Sequence, residues 1–118
     1  FITHPHYDHI HGLPFFAPLY MQGNEIEIYG ANHGTRSIQQ ILEGQMDGLY
    51  FPVKIREFGA HVNYHNLKEQ TFHIADITID TIHLNHPGHC LGYKVTYKNK
   101  RICYITDNEL YPADSPYY

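Results

Sequence analysis

Near its start the sequence reads Thr3-His4-Pro5-His6-Tyr7-Asp8-His9, and no other segment constrains the architecture as strongly. In an extended chain, residues two apart point to the same side, so His4 and His6 can bind one metal ion. Asp8 and His9 follow where we expect the chain to turn into a helix, and they can face a second ion. Zinc and similar cations accept imidazole nitrogen and carboxylate oxygen as ligands. The spacing therefore predicts a metal site.

Surface histidines in a polar loop are the alternative interpretation of this motif. Three histidines and one aspartate within six residues, directly after the apolar strand end Phe1-Ile2-Thr3, favour the metal site. The whole chain contains 11 histidines, spread from His4 to His89, whereas a purification tag would form one run. We expect His11, just beyond the motif, to lie on the surface or to support the ligands by hydrogen bonds.

Composition limits the classes of protein to consider. With 118 residues, of which 42% are hydrophobic, the chain is one domain at most and can bury a core. A net charge of −4 and only 8 lysines and arginines disfavour a nucleic-acid partner held by its phosphates. The absence of a long apolar run or signal peptide predicts a cytoplasmic protein that has no membrane partner. Cys90 and Cys103 are expected to be buried structural thiols.

The apolar pattern predicts many short strands and two helical segments. A helix capped by Thr35 is indicated by apolar residues at three- and four-residue steps between Ile38 and Met46. The stretch 72–84 is apolar on both faces and predicts one strand buried between layers. The other predicted elements are a helix or turn over 10–21 and strands over 25–29, 53–58, 90–97 and 101–106, the last two forming a hairpin. This pattern is typical of an α/β (α+β-like) fold with a largely antiparallel sheet.

The motif also carries a family resemblance. His4-x-His6-x-Asp8-His9, followed by Gly12, resembles the signature of the metallo-β-lactamase superfamily. The resemblance implies an αββα sandwich with mixed, largely antiparallel sheets and two divalent metal ions at one edge. It implies that His4 and His6 bind the first ion, and Asp8 and His9 the second. Zinc is the expected metal, with manganese or iron as alternatives.

Two later segments extend the resemblance in the family's order. The stretch 84–93, which contains His86 and His89, is similar to the loop that gives the first ion its third histidine. Tyr104-Ile105-Thr106-Asp107 is similar to the strand end whose aspartate bridges both ions. The ending Leu-Gly-Tyr-Lys-Val resembles the tRNase Z-like and phosphodiesterase branch, which selects His86. A glyoxalase-like Pro-Gly-His pattern would select His89 instead, and we prefer His86.

The resemblance implies a hydrolase in which two ions activate water, with Asp8 as the residue that orients the water or accepts its proton. Asp107 stands where many zinc β-lactamases have a cysteine, which argues against antibiotic hydrolysis. The negative charge and the lack of a long basic insertion favour a small phosphodiester as substrate. One alternative is a glyoxalase II- or lactonase-like hydrolase of esters or thioesters. Another is a flavodiiron-like redox or binding module, which the intact first motif disfavours.

Residues 1–118 are expected to form only part of such a domain, without its N-terminal strands and its C-terminal part. The resemblance begins in mid-strand at Phe1, and no histidine follows Asp107 to complete the second ion's ligands. We therefore expect either a longer polypeptide or association into a homo-oligomer. A protein of these residues alone is expected to bind the second ion weakly and to turn over slowly.

Overall fold

The computed structural model describes residues 1–114, and the chain separates into two compact units. Unit 1 comprises Phe1–Leu67, and unit 2 begins at Lys68. Unit 1 combines short helices with a parallel pair of strands, whereas unit 2 is an antiparallel sheet. The predicted α/β class with mixed, largely antiparallel sheets is confirmed. None of the helices within the described residues has the length and apolar character that a membrane crossing requires.

The sheet of unit 1 contains β1 (Glu25–Ala31) and β2 (His61–Leu67), which pair in parallel along their whole length. The predicted strand over 25–29 is thus confirmed and extends to Ala31. The predicted strand end at Phe1-Ile2-Thr3 is not a regular strand, although the amide of Ile2 donates to the carbonyl of Tyr29 at 2.8 Å. This hydrogen bond brings the start of the metal motif beside β1.

The strand predicted over 53–58 is wrong, and the true partner of β1 was not predicted. The segment 53–58 contains a 3-10 turn, Ile55–Glu57, in which the amide of Glu57 donates to the carbonyl of Lys54 at 2.9 Å. This local bond satisfies backbone groups that a sheet would otherwise pair. β2 was missed because asparagine, which is uncommon in strands, occurs at Asn63 and Asn66, and Asn66 interrupts the alternation of polar and apolar residues.

The helices of unit 1 are short. They are α1 (Tyr7–Ile10), α2 (Ile38–Gln45) and the 3-10 turns Leu13–Phe15, Ala17–Tyr20 and Ile55–Glu57, so the segment predicted over 10–21 is helical only in turns. The first two of these 3-10 turns each have a proline in their first two positions, where no amide is needed. The cap of α2 is Ser37 and not Thr35, so that prediction was wrong. Ser37 and Gln40 accept hydrogen bonds from each other's backbone amides, at 3.2 and 2.9 Å, in a capping box.

The core of unit 1 connects the metal motif to the sheet and to α2. One buried cluster of this core consists of Ile10, Ile28, Ile38 and Leu42. Ile10 ends α1, Ile28 lies on β1, and the other two lie on α2. Gly30 permits the close approach of α2 to β1, because a Cβ there would lie 2.8 Å from Cδ1 of Ile38. Burial of these side chains fixes the helical turn that carries Asp8 and His9.

A second close approach yields a stability prediction. A Cβ at Gly59 would lie 2.5 Å from the backbone oxygen of Tyr20, and a backbone atom cannot rotate away. We expect Gly59→Ala to lower the free energy of unfolding by about 1–3 kcal/mol. Gly44 lies within α2, where an added Cβ meets nothing within 4 Å. Gly44→Ala should therefore raise the free energy of unfolding by about 0.5–1 kcal/mol. Urea denaturation measures the free energy of unfolding of each variant. The same change in Gly59→Ala and in Gly44→Ala would contradict the steric argument.

Unit 2 consists of four strands in sequential antiparallel order: β3 (Thr71–Ile74), β4 (Ile77–His83), β5 (Leu91–Tyr97) and β6 (Lys100–Tyr104). The predicted hairpin over 90–97 and 101–106 is confirmed. The single strand predicted over 72–84 is wrong, because the chain reverses between β3 and β4 at Ala75, which has a φ of 51°.

Burial in unit 2 differs from the prediction at two positions. Ile82 on β4 is exposed, whereas Ile79 and Thr81 are buried, so this strand is not covered on both faces. Cys90 is buried as expected, but Cys103 is exposed and that prediction was wrong. Cys103 lies on β6, whose five residues are all exposed because β6 is the last strand of its sheet.

Candidate metal centre

The first half of the motif places two imidazole rings on the same side of an extended chain. Nε2 of His4 lies 3.0 Å from Nδ1 of His6. His4 is buried, and its other ring nitrogen is 3.2 Å from the hydroxyl oxygen of Thr3. With the proton on Nδ1 donated to that hydroxyl, Nε2 carries the lone pair that a metal ion needs. Thr3 is a supporting residue that the sequence analysis did not identify, and its position directly before His4 was the available signal.

The second half of the motif is helical. The helix α1 begins at Tyr7, so Asp8 and His9 lie inside it and do not precede it as predicted. Successive helical residues are separated by roughly 100° around the axis, so the side chains of Asp8 and His9 leave the helix in different directions. The ring of His9 turns toward His4, with 4.1 Å between centroids, and its Nε2 lies 3.3 Å from Oδ2 of Asp8. The motif thus forms one cluster of four candidate ligands within unit 1.

The members of this cluster differ in access to solvent. The side chain of Asp8 is 79% exposed, whereas that of His9 is 16% exposed. Asp8 is therefore much more accessible to water than His9. His11, which we expected to lie outside the ligand set, is exposed, and its ring packs beside Tyr7 with 6.2 Å between centroids.

Unit 2 brings together two of the later candidates. His86 lies in the loop between β4 and β5, and Asp107 follows β6. Nε2 of His86 is 3.6 Å from Oδ2 of Asp107. The alternative ligand, His89, lies in the same loop and packs its ring at 68° to that of His83, with 5.4 Å between centroids.

Backbone bonds between two segments hold His86 and Asp107 near each other. The amide of Asn85 donates to Oδ1 of Asn108 at 2.9 Å. The carbonyl of Asn85 accepts from the amide of Glu109 at 2.7 Å. We call this pair of bonds the asparagine bridge. Each asparagine is adjacent in sequence to a candidate ligand, and that adjacency was the only sequence signal for their role.

Cys90 supports the same region of unit 2 from the interior. Its buried thiol donates to the backbone oxygen of Asp107 at 3.7 Å, and its carbonyl accepts from the amide of Leu84 at 2.9 Å. Burial raises the pKa of the Cys90 thiol, which therefore stays protonated at neutral pH. Cys90 belongs to no group of candidate ligands among the described residues, and it packs behind the candidate site.

Comparison with known proteins decides the family. A family model described as the beta-lactamase superfamily domain matches residues 1–116. The chain belongs to this superfamily. The YhfI protein of Bacillus subtilis, described as a metallo-beta-lactamase fold protein, has a similar structure, with a TM-score of 0.56 and 18% identity. The similarity covers 86% of this chain and 37% of YhfI, and it confirms the predicted metallo-β-lactamase fold.

Curated relatives within the superfamily are ribonucleases. Ribonuclease Z of Prochlorococcus marinus subsp. pastoris is 35% identical over 103 residues, which cover 85% of this chain and 32% of the relative. Ribonuclease Z of Lactococcus lactis subsp. cremoris is 33% identical over 131 aligned positions, which cover 99% of this chain and 37% of the relative. The predicted resemblance to the tRNase Z-like branch is confirmed. The chain spans about a third of the length of these relatives.

The donor atoms present in each unit fit the divalent ions that the superfamily implies. Unit 1 offers imidazole nitrogens of His4 and His6 that face each other at 3.0 Å, with Asp8 and His9 beside them. Unit 2 offers an imidazole nitrogen and a carboxylate oxygen. Nitrogen and carboxylate oxygen together suit zinc and other borderline divalent cations. A site for magnesium or calcium would instead consist mainly of oxygen atoms.

Proposed function

We propose that this chain carries the metal-binding part of a hydrolase that cleaves phosphodiesters with two divalent ions. The observation that carries the proposal is the cluster of His4, His6, Asp8 and His9 in unit 1. Membership of the superfamily supports the same conclusion. Surface histidines would not be expected to converge with one of them buried, because burial of a polar ring is costly unless its nitrogens are used.

The proposed ligands follow the order of the superfamily's motifs. His4, His6 and His86 would bind the first ion, Asp8 and His9 the second, and Asp107 both. The distance of 3.6 Å between His86 and Asp107 favours His86 over His89 as the third histidine. Neighbouring ligands of one metal centre must lie within a few ångströms of each other, since each ligand bond is about 2 Å long.

When bound, such ions lower the pKa of water toward neutrality and stabilise the negative charge that develops during hydrolysis. The chain's own residues have separate roles in this scheme. The hydroxyl of Thr3 orients the His4 ring. Asp8, whose side chain is largely exposed, orients a water molecule or accepts its proton. The asparagine bridge holds the segments of His86 and Asp107 in position.

Two observations support a phosphodiester as the substrate. The curated relatives are named ribonuclease Z, and a ribonuclease cleaves the phosphodiester bonds of RNA. An aspartate at Asp107 also favours this class over antibiotics, as its position in the motif order implied. The net charge of −4 favours a small phosphodiester over a long RNA, which would lose affinity to a negatively charged protein.

The proposal is tested with the full-length protein and a panel of substrates. We expect hydrolysis of bis(p-nitrophenyl) phosphate that is lost after chelation and restored by zinc or manganese, because the ions supply the nucleophile. A short RNA, a thioester and a lactone are measured in parallel. Faster hydrolysis of the thioester or lactone would contradict the phosphodiester assignment. Activity that survives complete metal removal would contradict the role of the histidine cluster.

A further inference from the structure

Beside the metal motif, unit 1 contains a pocket of about 340 Å³ that the proposed reaction does not use. Four aromatic rings line it, from Tyr7, Phe15, Tyr50 and Phe51. Phe15 and Phe51 meet edge to face, with 5.4 Å between centroids and 89° between planes. The volume lies in the range of small-molecule sites, which are about 300–1,000 Å³. The pocket is therefore large enough for a planar ring system.

The aromatic rings of this pocket are exposed to an unusual degree. Tyr7, Phe15 and Tyr50 have 75%, 73% and 80% of their surface exposed. Exposed aromatic rings that cluster around a concavity mark binding sites, because their apolar surface is costly to leave in water. No carboxylate is among the lining residues, so the pocket does not repel an anionic ligand.

The pocket wall also carries a hydrogen-bond acceptor whose capacity is unused. The amide of Gln45 donates through Nε2 to the carbonyl of Ile10 at 2.9 Å. Its Oε1 is buried and has no hydrogen-bond partner among the described residues. An unsatisfied buried acceptor is costly and uncommon in folded proteins. Gln45 lines the pocket, so a turn of its side chain toward a ligand would let an N–H group of that ligand satisfy the acceptor.

We propose that this pocket binds the nucleobase of a nucleoside phosphodiester. The inference rests on the proposed function and names its substrate more closely. Phe15 and Tyr50 would stack on the base, and an amino group of the base would donate to Gln45. Tyr7 lies between His6 and Asp8 in the sequence, so a base held here lies next to the metal motif. An aliphatic ester would fill the volume but would offer neither a π face nor a donor.

The test measures binding to the metal-free, full-length protein, so that it does not depend on catalysis. Calorimetry compares adenosine 5′-monophosphate with ribose 5-phosphate, which has the same phosphate and no base. We expect the nucleotide to bind at least about tenfold more tightly, the effect of one stacked base. Phe15→Leu and Tyr50→Leu should each remove most of this difference. The matched control is Phe16→Leu, an exposed neighbour that does not line the pocket.

Equal affinity for the nucleotide and for ribose 5-phosphate would overturn the inference. A loss of affinity in Phe16→Leu equal to that in Phe15→Leu and Tyr50→Leu would also overturn it. So would displacement of the nucleotide by hexyl phosphate at similar concentration, because a ligand without a base would then bind as well. The two proposals fail separately. If the protein hydrolyses bis(p-nitrophenyl) phosphate but binds adenosine 5′-monophosphate and ribose 5-phosphate equally well, only the pocket proposal is refuted. Base-dependent binding without any phosphodiester hydrolysis would refute the proposed function and leave the pocket's ligand assigned.

Discussion

Asp107→Asn is expected to lower kcat/KM for bis(p-nitrophenyl) phosphate by about a hundredfold to a thousandfold, the scale seen when one group that stabilises the transition state is removed. The substitution preserves the size of the side chain but removes the negative charge proposed to bind both ions. Oδ2 of Asp107 lies 3.6 Å from Nε2 of His86, another proposed ligand. Elemental analysis of the purified variant should show less than the full complement of metal.

Asp76→Asn is the matched control for this experiment. Asp76 is an exposed aspartate in the turn between β3 and β4, and it belongs to no candidate ligand cluster. Its substitution removes the same charge from unit 2 and should change neither activity nor metal content. Near-normal activity and metal content in Asp107→Asn would show that this aspartate is a turn residue and not a ligand.

The second large effect is expected at His86. His86→Ala should abolish binding of one ion and lower kcat/KM about a thousandfold, because the first ion would lose one of its three histidines. His89→Ala serves as the paired variant, and we expect it to alter KM more than kcat. Metal content and steady-state kinetics of the two proteins distinguish the roles. The reverse pattern would make His89 the ligand and favour the glyoxalase II- or lactonase-like alternative.

The proximity of His4 and His6 could be predicted from sequence because it depends on local geometry. His4 and His6 are two residues apart, and an extended backbone alone brings their rings together. Asp107 and His86 are far apart in the chain, and only the pairing of β4, β5 and β6 brings them to 3.6 Å. Local spacing could not predict that these two residues lie near each other, and that expectation came from the order of the family's motifs.

The errors of the sequence analysis have local physical causes. β2 contains Asn63 and Asn66, and Asn66 breaks its alternation of polar and apolar residues, so the strand was not recognised although its ladder with β1 is complete. The β3–β4 turn uses Ala75 at positive φ, where glycine or asparagine would have marked a reversal. Ser37 and Thr35 are both acceptable caps, and the deciding partner was the glutamine three residues after Ser37.

The asparagine bridge has a thermodynamic consequence. Because Asn85 is bonded to Asn108 and to the amide of Glu109, the segments of His86 and Asp107 are already ordered when the chain is folded. Binding of an ion there does not require two mobile loops to become ordered, so the free energy of binding is not reduced by their loss of conformational entropy. The affinity of this half of the proposed metal centre would therefore depend partly on hydrogen bonds whose atoms never touch a metal.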